Sequence, residues 1–132
     1  METPTIRLRS GRPFCVGILV GLFLPFAATA QERLPLSRIA EIKELPLAET
    51  ASAVPVRLRA TVTYRDGSHF TIQDDSGGIF VELALARARK VWQGDDTEVD
   101  RLQAGSLIDM EALTDRGGYA PMLLPRTLRI LG

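Results

Sequence analysis

Cysteine is nearly missing from this chain. Its 132 residues contain one, Cys15, and one histidine, His69. A lone cysteine forms no intrachain disulfide, and metal sites built on paired thiolates or clustered imidazoles are excluded. Net charge is missing too: 16 basic and 16 acidic residues cancel, so the chain lacks the positive excess that tracking a phosphate backbone requires. Aromatic residues make up only 6% of the chain, few for a platform on which successive bases stack. There is no Gly-x-Ser-x-Gly elbow and no nucleotide-binding glycine loop. A Ser or Thr nucleophile would have His69 as its sole conventional base. These absences lead us to expect no enzyme activity, no cofactor and no metal.

What is present begins with a leader. Arg7, Arg9 and Arg12 precede an apolar run from Phe14 to Ala27, and Ala28-Thr29-Ala30 closes it with small residues at the two positions a signal peptidase reads. Basic region, apolar run and A-x-A site together predict a secretory signal peptide over residues 1–30, cleaved after Ala30. The competing reading is a membrane anchor. Gly17, Gly21 and Pro25 interrupt the run, and it falls short of the ~20 apolar residues a spanning helix needs. Arg7 and Arg9 are separated by Leu8, so they are not a twin-arginine pair. Removing Arg7, Arg9, Arg12 and Glu2 leaves thirteen basic and fifteen acidic residues, a net charge of −2. Cys15 goes with them, so the mature protein, periplasmic or secreted, must be held together by its core alone.

Residues 31–53 read as a linker and a short helix. Ser37 is placed as its N-cap, Ile39, Ile42 and Leu45 form an apolar stripe, and Pro46 stops it. Residues 54–132 read as strands. From Val54 to Tyr64 apolar and polar residues alternate with period two, long enough for one bent strand serving two halves of a barrel. This alternation puts Tyr64 in the core. Asp66-Gly67 marks a tight hairpin, and Phe70 and Ile72 point inward on the next strand. Asp74 to Gly78 makes the next turn, and Ile79, Val81 and Leu83 point inward on a third strand. Leu85 to Trp92 has helical spacing, ended by Gly94 to Thr97. A fourth strand carries Ile108, Met110 and Ala112. A fifth runs from Met122 to Leu131, where Pro125 implies an edge or a bulge.

Three strands, a helix and two strands is the order of an OB-fold, a five-stranded Greek-key barrel. Residues 56–64, VRLRATVTY, and 70–81, FTIQDDSGGIFV, resemble the secreted bacterial OB-fold modules found ahead of membrane sensor kinases. The sequence is also similar, more loosely, to the small periplasmic bacterial OB-fold (BOF) proteins. Leu102-x-x-Gly105 and Tyr119-Ala120-Pro121 fit the same pattern, while Ala60 and Ala112 stand where those modules commonly have glycine. The resemblance spans roughly residues 36–132. It implies an all-β barrel with minor helices and defines no catalytic residue.

An OB barrel presents the outer face of its second and third strands between two loops. The alternation places Thr71, Gln73, Phe80 and Glu82 on that face, Arg65 and His69 near the first loop, and Tyr119 in the last. Phe80 breaks the polar-outside rule: it stacks on a ligand, or it packs under the N-terminal helix or a loop. Asp74, Asp75, Asp95 and Asp96 are read as turn residues, with a cation held by Asp74 and Asp75 as the alternative. The basic run Arg87 to Lys90 is read as a solvated helix face. The expected function is a binding module for a small extracytoplasmic ligand or a protein partner. The alternatives are single-stranded nucleic-acid binding, which the charge disfavours, and a purely structural or interaction domain.

Overall fold

The computed structural model describes Gly21 and residues 34–132, so the expected signal peptide and the first residues of the linker lie outside the described residues. By its internal contacts the chain divides into Met1–Gln31 and Glu32–Gly132. The second unit consists of α1 (Ile39–Lys43), α2 (Leu47–Thr50), β1 (Pro55–Asp66), β2 (His69–Asp74), β3 (Gly77–Glu82), α3 (Leu83–Ala88), α4 (Asp96–Asp100), β4 (Leu107–Asp115) and β5 (Met122–Ile130). The strands close into a barrel in the order β1-β2-β3-β5-β4, the OB arrangement expected from the sequence. Among the described residues no helix is long and apolar enough to cross a membrane.

The long first strand serves both halves of the barrel. Pro55 to Thr61 pair with β4, and Thr61 to Asp66 pair with β2. Leu36 bridges Val56 in parallel. Val56, Leu58, Ala60 and Val62 point inward and are buried, joined by Phe70, Ile72, Val81, Ile108, Met110 and Leu123. Ile39 and Ile42 of α1, Leu83 of α3 and Val99 of α4 complete one continuous core. Pro125 sits at a bulge: Ala112 pairs Pro125 while Glu111 pairs Thr127, leaving Arg126 as the extra residue.

Four expectations change. Tyr64 is not core; it is 57% exposed. A register shift between Val62 and Tyr64 makes Thr63 an extra residue, and an extra residue moves every later side chain to the opposite face. Ser37 is not the N-cap of the first helix. The cap position is Arg38, which gives no side-chain bond. Ile39 N–H instead donates to Asp74 Oδ2 at 2.9 Å and Ala40 N–H to Ser76 Oγ at 3.0 Å, both on the β2–β3 turn. The helix expected over Leu85–Trp92 starts at Leu83 and ends at Ala88, burying Leu83 and Ala86. Asp95 begins a helix rather than ending one: it caps α4 by accepting from Thr97 N–H at 2.9 Å.

One buried polar side chain carries a relay. Thr114 Oγ1 accepts from Val54 N–H at 2.9 Å and donates to Thr50 carbonyl at 2.9 Å. It satisfies two backbone groups where the chain enters the barrel, and burial would make either costly if left unpaired.

Candidate functional site

The outer face of β1, β2 and β3 is built by cross-strand register. One row runs Tyr64, Thr71, Phe80 and Met122 across four strands. The next row toward the first hairpin holds Asp66, His69 and Glu82, and the row on the other side holds Thr61, Gln73 and Gly78. Gly67, at φ +57, closes the hairpin beside His69, a backbone conformation that glycine adopts without steric cost.

Phe80 is 38% exposed and borders a groove that Lys43 of α1 and the β4–β5 loop also line. It stacks on His69, with ring centroids 5.6 Å apart and planes at 24°. His69 is held in place by Glu82: its Nδ1 lies 2.5 Å from Glu82 Oε2. The other carboxylate oxygen, Oε1, is buried with no hydrogen-bond partner. Thr71 Oγ1 lies 2.8 Å from Thr63 Oγ1, so its hydroxyl is partly engaged. Gln73 is exposed and lines an open groove of about 480 Å³ with Arg59, Thr61 and Asp75. Tyr119 is fully exposed in the β4–β5 loop. Gly117 shapes that loop: its φ is +66, and a Cβ there would lie 2.0 Å from Ala120 carbonyl oxygen. The structure thus gathers His69, Thr71, Gln73 and Phe80 on one face and sets Tyr119 on a loop beside it.

Arg65 is placed differently. After the bulge it falls on the inward phase, at a barrel end. Its Nη1 donates to the carbonyls of Val99 and Leu102, and its Nε to Gly67 carbonyl at 3.2 Å. A cation suits the carbonyls at a helix C-terminus, so its guanidinium ties α4 to the first hairpin. Glu82 lies on the face as the alternation predicts, and Tyr64 and Met122 join it without having been expected there. For Tyr64 the alternation gave the opposite answer, and nothing in the local sequence marks the bulge.

Asp74, Asp95 and Asp96 are occupied by the fold, while Asp75 is exposed and meets Arg38 at 3.8 Å. Asp74 Oδ1 accepts from Ser76 N–H at 2.7 Å, Ser76 Oγ at 2.6 Å and Gly77 N–H at 3.0 Å. Burial works against its charged form, but the bonds from the Ser76 hydroxyl and from Ile39, Ser76 and Gly77 N–H outweigh burial and hold its pKa below the ordinary value. Asp95 is lowered by its bonds from Thr97, and Asp96 by its bonds from Arg87 and then Trp92. Among the described residues no three His, Cys, Asp or Glu side chains converge as a metal site. Both arginines of the basic run are paired as well: Arg87 meets Asp96 at 2.6 Å and Arg89 meets Asp115 at 2.7 Å.

A second groove, of about 650 Å³, opens on the other side of Phe80. It lies between β3 and the β4–β5 loop and is lined by Lys43, Gly78, Phe80, Tyr119, Pro121 and Met122.

The strand order and the polar-apolar faces define a small OB-fold barrel. Among solved structures, the hypothetical protein ygiW from E. coli has a similar fold, with a TM-score of 0.51 and 14% sequence identity over 74% of this chain and 90% of that one. No family model and no curated protein matches the sequence.

Proposed function

We propose that this chain is a non-enzymatic OB-fold recognition module, exported to the periplasm or beyond, that binds a small extracytoplasmic ligand or a protein partner on the outer face of β2 and β3. The observation that carries this reading is Phe80, an exposed aromatic stacked on His69 on the face that OB barrels commonly use. Glu82 fixes the imidazole against that ring, so the two rings offer a flat, preorganised surface. Thr71 and Gln73 flank it with polar groups. Export rests on the sequence of residues 1–30. A thermal-shift screen against oligosaccharides, peptides, oligonucleotides and divalent cations tests the reading. A ligand-dependent rise that Phe80→Ala abolishes supports it; no rise from any class removes small-ligand recognition and leaves a protein partner or a structural role.

Single-stranded nucleic acid is the second reading, because Tyr64, His69 and Phe80 share one face and stacking suits bases. Charge opposes it: Arg87 and Arg89 are paired and the expected mature chain is net acidic. Flow-through on an oligonucleotide column at low salt rules it out.

A further inference from the structure

The groove beside β3 contains an interrupted strand edge. β5 pairs with β3 at Phe80 and Val81 only, so the stretch from Gly77 to Ile79 has no strand on that side. Hydrogen-bond phase shows which groups this leaves open. In an antiparallel pair, successive residues turn their N–H and C=O alternately toward the partner and away from it. Leu83 N–H donates to Ser68 carbonyl at 3.0 Å, and the β2–β3 register then makes Val81, Ile79 and Gly77 face β2. Phe80 and Gly78 therefore turn their backbone groups toward β5. Phe80 meets β5 there. Gly78 does not: among the described residues no backbone hydrogen bond joins it to the loop Gly117–Pro121.

Three further features surround that open edge. Gly78 has no side chain to hold a second backbone away, and the groove of about 650 Å³ has room for several extended residues. Phe80, Tyr119 and Met122 offer an apolar seat along one wall. Lys43, an exposed residue with no ion-pair partner among the described residues, stands at the groove with its Nζ beside Gly77.

We infer that this groove takes an extended peptide of a partner protein by strand addition on Gly78, with an acidic residue of the peptide on Lys43 and an apolar residue against Phe80 and Tyr119. Main-chain bonds supply the recognition common to any extended segment, and the two side-chain contacts supply the preference. The inference rests on reading the chain as a recognition module. It specifies the partner's chemistry: extended, acidic, and with an alternate apolar side chain.

The test uses the full exported protein and a fluorescent hexapeptide library that alternates β-branched and random residues around one fixed Asp, read by fluorescence polarisation. The strongest binder is remade with N-methyl groups at alternate amides. One N-methyl phase is expected to weaken binding by at least about tenfold, from a lost main-chain bond and the clash of the methyl group, and the other phase by much less. Exchanging the peptide's Asp for Asn, or Lys43→Gln in the protein, should each cost about fivefold, and the two changes together no more than either alone. Equal binding of both N-methyl phases, or indifference to both charge changes, overturns the inference. If no peptide binds while a small ligand still raises the melting temperature and Phe80→Ala abolishes that rise, the inference fails and the module reading stands. If neither binds, the inference and small-ligand recognition both fail, and a folded protein partner or a structural role is left.

Discussion

The turn of the β2–β3 hairpin and the strand that leaves it differ sharply. At the turn, Asp74 and Ser76 look like a site and are fully engaged: the Asp74 carboxylate receives four hydrogen bonds, and two of the donors to the pair belong to a helix 35 residues upstream. A few residues on, Gly78 and Phe80 carry no ionisable chemistry and are the exposed ones. Residue type alone would rank them the other way. Polar side chains are valuable to a fold that has no disulfide, because they satisfy helix ends and hold elements together. Beside that turn, Phe80, Gly78 and Lys43 are exposed and carry no side-chain hydrogen bond or ion pair among the described residues.

The contrast can be broken from its engaged side first. Asp74→Ala removes a charged acceptor from the turn and from the start of α1, and is expected to destabilise the protein by about 3 kcal/mol. Denaturant melts read the loss, and a change under about 0.5 kcal/mol would mean the turn is not the clamp described. Acid should act through the same carboxylate. Its folded pKa is lowered, so its contribution is complete above the unfolded value of about 3.9 and is lost as pH falls through the folded one. Melts between about pH 6 and about pH 2 should show this decline, and Asp74→Asn should flatten it.

Smaller effects sharpen the open side. Gly117→Ala forces a side chain into a left-handed position and against Ala120 carbonyl; about 1–2 kcal/mol is expected, with ligand affinity changed because the Tyr119 loop must move. Phe80→Ala is expected to cost less than about 1 kcal/mol of stability, since the ring is partly exposed, yet to abolish binding at the outer face. Loss of both stability and binding in equal measure would make Phe80 a packing residue.

The sequence made the barrel legible because inward residues repeat with period two and its turns carry Asp-Gly and Gly-Gly. Pro125 marked its own bulge for a plain reason: it has no N–H to give a ladder. Thr63 carries no such mark, so the alternation ran on through it and placed Tyr64 in the core. The start of α4 is written in the sequence: Asp95 with Glu98 three residues later is the spacing of a helix start. The Asp74 clamp was not legible, because a cap supplied from another element depends on tertiary structure. The same holds for Arg65, which joins α4 only after the bulge has turned it inward.

Amide mapping tests the central claim most directly: ¹⁵N–¹H spectra of the protein titrated with the best ligand from the thermal-shift screen. The account predicts saturable shifts at Thr71, Gln73, Gly78 and Phe80, with Asp74 and Ser76 and the first turn of α1 unmoved. Shifts centred on the Asp74 turn, or on the Arg87–Asp96 region, would contradict it.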